Sequence, residues 1–192
     1  MKKTKTLDET QIKRLLNGTK LTRHSDRNRL IVCLSFYSGM RSIEICSLNV
    51  GDVIDREGKV KDVIYLDKTQ TKGRERQTVY ISTVLRGEIQ KYLDKYSYLK
   101  ERRGERLIQS QKGGGFTSMT LQRVFKELYK IVGLDDCSSH TGRKTFCTEL
   151  GMKGVSVRVI QELMRHKNLQ TTQMYMMVSD DKLKNSVEVL GY

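Results

Sequence analysis

The feature that most restricts the fold of this chain is a change of hydrophobic period that occurs once and then reverses. Up to Leu48 the apolar residues recur at helical spacing. Leu30, Ile31, Leu34 and Phe36 lie in a segment running from Asp26 to Ser38, and Ile43 and Cys46 lie in a shorter one from Ser42 to Leu48. After Gly51 the helical spacing gives way to short β-prone runs, Val53-Ile54, Val63 to Leu66 and Thr78 to Ile81, separated by polar turns containing Gly58 and Gly73. From Ser82 to about Tyr98 the helical pattern returns. It recurs in segments near Met119–Ile131, His140–Met152, Val157–Met164, Thr172–Met177 and Asp181–Val189. The expected fold is therefore α+β, mainly α, with one small antiparallel sheet of three strands.

Local signals set the boundaries. Thr6 and Glu9 have capping-box spacing for a first helix that reaches Leu16, ahead of Asn17-Gly18. Gly39 supplies the stop for the second helix. The stretch from Lys100 to Gly104 and the run Gly113 to Gly115 bracket a loop region. With no internal repeat and no interdomain linker, residues 1–192 are expected to form a single domain.

Charge narrows the partner. Thirty-six Lys and Arg stand against 22 Asp and Glu, a net charge of +14, which favours a polyanion and above all nucleic acid. No apolar run approaches the roughly 20 residues of a membrane span. The cationic N-terminus has no apolar segment behind it, so no signal peptide is read there. No membrane partner and a cytoplasmic location are the expectations. Cys33, Cys46, Cys137 and Cys147 contain no C-x-x-C pair and, with three histidines in the chain, match no zinc spacing. They are read as reduced and structural, with no metal and no cofactor expected.

Three segments place polar residues where an apolar helix would not need them. In Ser38-Gly39-Met40-Arg41-Ser42-Ile43-Glu44, Arg41 opens a helix and Glu44, one turn on, is placed to orient its guanidinium. In Ser138-Ser139-His140-Thr141-Gly142-Arg143-Lys144, His140 and Arg143 share a helix face near a helix N-terminus, where both can reach one anion. In Leu163-Met164-Arg165-His166, a histidine follows a helix end, and Tyr175 comes nine residues later, with Thr171 or Thr172 as cap of the intervening helix. Each segment alone is equally a surface ion pair, a solvated basic turn or a core tyrosine.

Taken in order, however, these segments closely resemble the tyrosine recombinases, or phage-integrase family. The pattern is an Arg within G-x-R-x-x-E-[LI]-x-x-L, then H-x-x-R, then a His or Trp, then the nucleophilic Tyr nine residues on. The resemblance covers nearly the whole chain and implies Arg41, His140, Arg143, His166 and Tyr175 as catalytic residues. The family's catalytic lysine lies in a β-turn that Thr71 to Arg76 resembles. This implies Lys72, with Lys68 in reserve. Two departures stand out. Gly142 and Lys144 replace an apolar residue and a histidine, and Arg165 replaces a glycine; none of the three is expected to touch a catalytic position.

The resemblance implies a site-specific DNA recombinase or integrase. Tyr175 would attack the scissile phosphate to give a 3′-phosphotyrosyl link and a free 5′-hydroxyl, followed by strand exchange without ATP or metal. It further implies double-stranded DNA as partner, a free monomer and a homotetramer on two duplexes. The tail at about 179–192 would dock either on a neighbouring protomer or on its own domain. The family's N-terminal core-binding domain is expected to be absent, in either an excised domain or a naturally short recombinase. Relaxation of DNA in the manner of a type IB topoisomerase, and DNA binding without catalysis, remain the alternatives.

Overall fold

The computed structural model describes residues 5–111, 113–175 and 187–188. Its spine is α2 (Ser25–Ser38), in which nine of 14 residues are buried, including Leu30 to Phe36 without a break. A helix buried on all sides must be surrounded by other elements. α5 (Thr83–Lys95) and α8 (Thr141–Met152) pack on it, and α1 (Glu9–Gly18) and α3 (Ser42–Ser47) pack on α7 (Ser118–Ile131). α6 (Tyr98–Glu101) follows α5. α9 (Val157–Met164) and the short α10 (Leu169–Gln173) pack on each other beyond α8.

Among the described residues the sheet has two strands. β1 (Val63–Leu66) pairs antiparallel with β2 (Gln77–Tyr80) in the register Val63↔Tyr80 to Leu66↔Gln77, burying Ile64, Leu66 and Val79 and leaving Tyr65 and Tyr80 outside. The third expected strand, Val53-Ile54, is absent. Val53 closes the one-turn helix α4 (Val50–Val53), and Ile54 makes a single bridge to Val60. The Asp52 carboxylate accepts the Asn49 N–H at 2.8 Å and so winds this segment into a turn. Both Val53 and Ile54 are fully buried, so they lack the in–out alternation of a half-buried strand.

Two other boundaries differ. The first helix is capped by Asp8, whose carboxylate accepts the Gln11 N–H at 2.8 Å while the Gln11 side chain accepts the Asp8 N–H. The Thr6–Glu9 box does not form there, because Leu7 is buried with its N–H bonded to Thr145 Oγ1 on α8. α10 begins at Leu169 with Asn168 as cap, earlier than the Thr172 start expected, because the Thr172 hydroxyl is engaged at His166. The tail at about 179–192 lies outside the described residues except for 187–188.

Two glycines set how closely the elements approach. Gly39 ends α2 at φ +60°, and Gly142 brings α8 against α2 so tightly that a Cβ there would lie 2.3 Å from Ser35 Oγ and 2.8 Å from the Phe36 ring. The departure at Gly142 thus has a packing cause. Gly142→Ala is expected to destabilise the domain by about 1–3 kcal/mol through overpacking, read as a lower urea midpoint at unchanged slope. An unchanged midpoint would show that α8 does not need this close approach.

Candidate active site

The site forms where the end of α2, the start of α3, the first turn of α8 and the end of α9 converge. Glu44, in the first turn of α3, is fully buried. Its Oε1 accepts from Arg41 Nη1 at 2.6 Å, and its Oε2 accepts from the Arg41 backbone N–H and from Arg165 Nη2, each at 2.8 Å. Burial opposes ionisation of Glu44, yet Arg165, Arg41 and the Arg41 N–H together hold its pKa below the ordinary carboxylate value.

Arg143 is 6% exposed and donates to the carbonyls of Gly39 and Met164, at the ends of α2 and α9. Burial, with Arg41 and Arg165 nearby, lowers its pKa to about 9, so the guanidinium stays charged at neutrality. Arg41 Nη2 donates to the Arg165 carbonyl at 3.3 Å. Arg165 Nη1 donates to the Leu163 carbonyl at 2.9 Å, while its Nε is buried without a partner. Two guanidiniums, those of Arg41 and Arg165, therefore share the Glu44 carboxylate, while Arg143 beside them is held by helix-end carbonyls.

Arg165 is where the sequence reading fell short. The expectation that it stays clear of the catalytic positions is overturned by its contacts with Glu44 and Arg41. It follows α9 at φ +54°, the left-handed position at which glycine is usual, with its side chain only 5% exposed. A non-glycine residue there costs about 1–2 kcal/mol, so the Glu44 ion pair must offset backbone strain. The available signal was an arginine filling a glycine position directly before His166.

His166 Nδ1 lies 2.9 Å from Thr172 Oγ1, and its carbonyl accepts from Gln161 Nε2. Burial, followed by Arg143, Arg41 and Arg165, lowers its pKa to about 4, so the ring is neutral near pH 7. Its centroid lies 6.3 Å from the ring of Tyr175, which packs on the cluster of Cys147, Ile160 and Met164. Lys144 Nζ sits 6.0 Å from the Tyr175 ring centroid, and Thr148 Oγ1 donates to the Tyr175 carbonyl at 3.4 Å. His140, at the α8 N-cap, keeps an open side, yet desolvation and then Arg143, Arg41 and Lys72 lower its pKa.

Lys72 is exposed in the β1–β2 connection, and its charge is felt at His140. The connection is fixed at its base by buried Gln70, which donates to the Ser47 carbonyl and to Asp52. Thr71 and Glu75 bond each other across the turn, and Glu75 pairs with Lys167 at 2.7 Å. Lys68 lies in the short 3₁₀ turn before it. A cleft of about 490 Å³, lined in part by Glu75, Arg76, Tyr80, Arg165 and His166, separates the hairpin from the end of α9. The four cysteines are buried and free, and among the described residues no three His, Cys, Asp or Glu side chains are grouped to hold a metal.

This element order, with arginines, histidines and a tyrosine drawn together at one face, is that of a tyrosine recombinase catalytic domain. Residues 5–182 match the profile of the phage integrase family, to which the chain belongs. Tyrosine recombinase XerA of Pyrococcus furiosus is 31% identical over 190 residues, covering 96% of this chain and 61% of that protein. Tyrosine recombinase XerC of Thermodesulfovibrio yellowstonii is 31% identical over 169 residues, covering 85% and 53%. The chain thus spans less than two thirds of either relative. In fold it is similar to a crystal structure of XerA recombinase, with a TM-score of 0.76 at 24% identity over 99% of this chain and 67% of that one. It is also similar to XerH site-specific recombinase bound to its difH substrate in a pre-cleavage complex, with a TM-score of 0.74 at 21% identity, over 97% and 54%. Among the described residues no helix is long and apolar enough to cross a membrane.

The depressed pKa of His166 has a consequence for stability. Between its ordinary value of 6.5 and about 4, the unfolded chain binds more protons at this residue than the folded one. The contribution of neutral His166 is whole above pH 6.5 and is lost as pH falls toward 4. Urea midpoints taken at pH 7 and pH 4.5 are expected to fall further for the wild type than for His166→Gln. Equal falls would remove His166 from the effect.

Proposed function

We propose that residues 1–192 act as the catalytic domain of a site-specific DNA recombinase that cleaves and rejoins strands through Tyr175. The observation that carries this reading is the buried, net cationic cluster of Arg41, Arg143 and Arg165 around Glu44, with His166 and Tyr175 beside it. Such a cluster is matched to a phosphate whose negative charge grows as a fifth oxygen adds to phosphorus. The net charge of +14 and the DNA-bound state of the similar XerH structure support double-stranded DNA as the partner.

Arg41 and Arg143 grip the non-bridging oxygens of the scissile phosphate, a task that suits the planar guanidinium. His166 adds a donor without adding charge. Its Nδ1 pairs with the Thr172 hydroxyl, and in the tautomer in which that hydroxyl donates, Nε2 carries the proton offered to the phosphate. The Tyr175 oxygen attacks phosphorus and its proton passes to His140, whose lowered pKa leaves it neutral and able to accept. The bond to the 5′ oxygen breaks, and Lys72 protonates that oxygen as it leaves. The product is a 3′-phosphotyrosyl ester and a free 5′-hydroxyl, with the phosphodiester energy conserved. A 5′-hydroxyl from a second duplex reverses each step to complete the exchange, so neither ATP nor a metal is called for. Exchange between two duplexes calls for four protomers from a pool of free monomers, with the tail at about 179–192 docking either on a neighbouring protomer or on its own domain. A cytoplasmic location fits this role.

Tyr175→Phe is expected to abolish covalent capture of nicked duplex DNA while leaving DNA affinity nearly intact. Equal loss of both would sink the assignment, and tight binding without an adduct in the wild type would favour a DNA-binding protein. Multiple-turnover relaxation of supercoiled DNA at no preferred sequence would favour the topoisomerase reading.

Lys72→Ala is expected to slow cleavage by about 10²–10⁴. A substrate with sulfur in place of the bridging 5′ oxygen should largely restore the rate, since a thiolate leaves without a proton. Rescue seen with Lys68→Ala instead would move the role to Lys68.

A further inference from the structure

The contacts of Arg165 exceed what a helix-end residue needs. Its side chain reaches the second oxygen of Glu44, its Nη2 also lies 3.4 Å from the Gly39 carbonyl, and its own carbonyl accepts from Arg41 Nη2. The Gly39 carbonyl is also an acceptor for Arg143. Arg165 is therefore in contact with the fixings of both phosphate-gripping arginines. We infer that Arg165 is a positioning residue, one that shares Glu44 with Arg41 so that the Arg41 guanidinium is oriented toward a phosphate without being neutralised.

The physical case rests on how a carboxylate is divided. Facing one arginine alone, a buried glutamate forms a two-pronged pair that consumes the fork and cancels its charge. Here Arg41 gives Oε1 only Nη1, while Oε2 is occupied by the Arg41 backbone N–H and by Arg165. Among the described residues no hydrogen bond engages Arg41 Nε, and that edge remains for an incoming oxygen. The third guanidinium also leaves the cluster with more positive charge than Glu44 can balance, an excess that a phosphate relieves. The buried Arg165 Nε without a partner marks the same incomplete satisfaction. A capping residue alone would explain none of this, since glycine fills the left-handed position with less strain.

This inference rests on the proposed phosphoryl-transfer site, and its test separates the two. Arg165→Gly suits the backbone at φ +54°, so the fold should persist. Titration of the free protein with inorganic phosphate is expected to show affinity weakened about tenfold in Arg165→Gly. In single-turnover capture of nicked duplex, the rate at saturating DNA should fall similarly while the half-saturating DNA concentration stays unchanged. Arg165→Lys, which keeps the charge and loses the fork, should recover part of both losses, and it carries the comparison if the glycine variant does not unfold cooperatively. Wild-type phosphate affinity in these variants overturns the inference, as does a wild-type protein that binds no phosphate. A wild-type protein that binds phosphate and forms no phosphotyrosyl adduct instead sinks the proposed recombinase chemistry, and the phosphate comparison still decides the role of Arg165.

Discussion

A fully buried carboxylate between two guanidiniums is the constraint on which the site depends. Glu44 would be costly to bury alone, and removing one partner of such a buried pair typically costs about 3–5 kcal/mol. Its contacts tie the start of α3 to the residue that ends α9, more than a hundred positions away in sequence. Arg143 adds the first turn of α8 through the same helix ends. The tie is one of specificity as much as stability, because it fixes which helix ends meet.

That convergence needs the helices to be brought close first. α2 lies at the centre, buried on all sides, and its last carbonyl-bearing turn leads into Gly39 and then Arg41. Close packing at Gly142 holds the start of α8, and therefore His140 and Arg143, against α2. On the other side, buried Gln70 anchors the root of the Lys72 turn to α3 and α4. Apolar burial supplies the framework, and a few buried polar side chains set the register between its parts.

Much of this was legible in the sequence, for identifiable reasons. The pair Arg41 and Glu44 lies within one helical turn, so the spacing alone carries it. α9 matched its expected bounds because Ser156 caps an apolar run that ends at Met164. Val53-Ile54 misled because β-branched apolar residues suit a buried turn as well as a strand, and the Asp52 cap decided between them. The Thr6–Glu9 box failed because a partner 138 residues away, Thr145, claims the Leu7 N–H. Arg165 was legible only as an oddity. Its partner, Glu44, is distant in sequence, and neither composition nor period encodes that pairing.

The remaining donors of the arginines explain how so much positive charge is kept together. A second carboxylate would hold the cluster more firmly, but it would cancel the net positive charge of the cluster. The carbonyls of Gly39, Leu163, Met164 and Arg165 satisfy guanidinium donors while contributing no net charge. These carbonyls belong to the ends of α2 and α9, where backbone acceptors lack intrahelical partners and carry the negative end of the helix dipole. Arginines answer that need, and the helix ends in turn stabilise the cations. Burial first, and then the field of the same arginines, hold the pKa values of His140 and His166 below the ordinary histidine value. The site is thus assembled to stay positive, with more guanidinium charge than its one buried carboxylate balances.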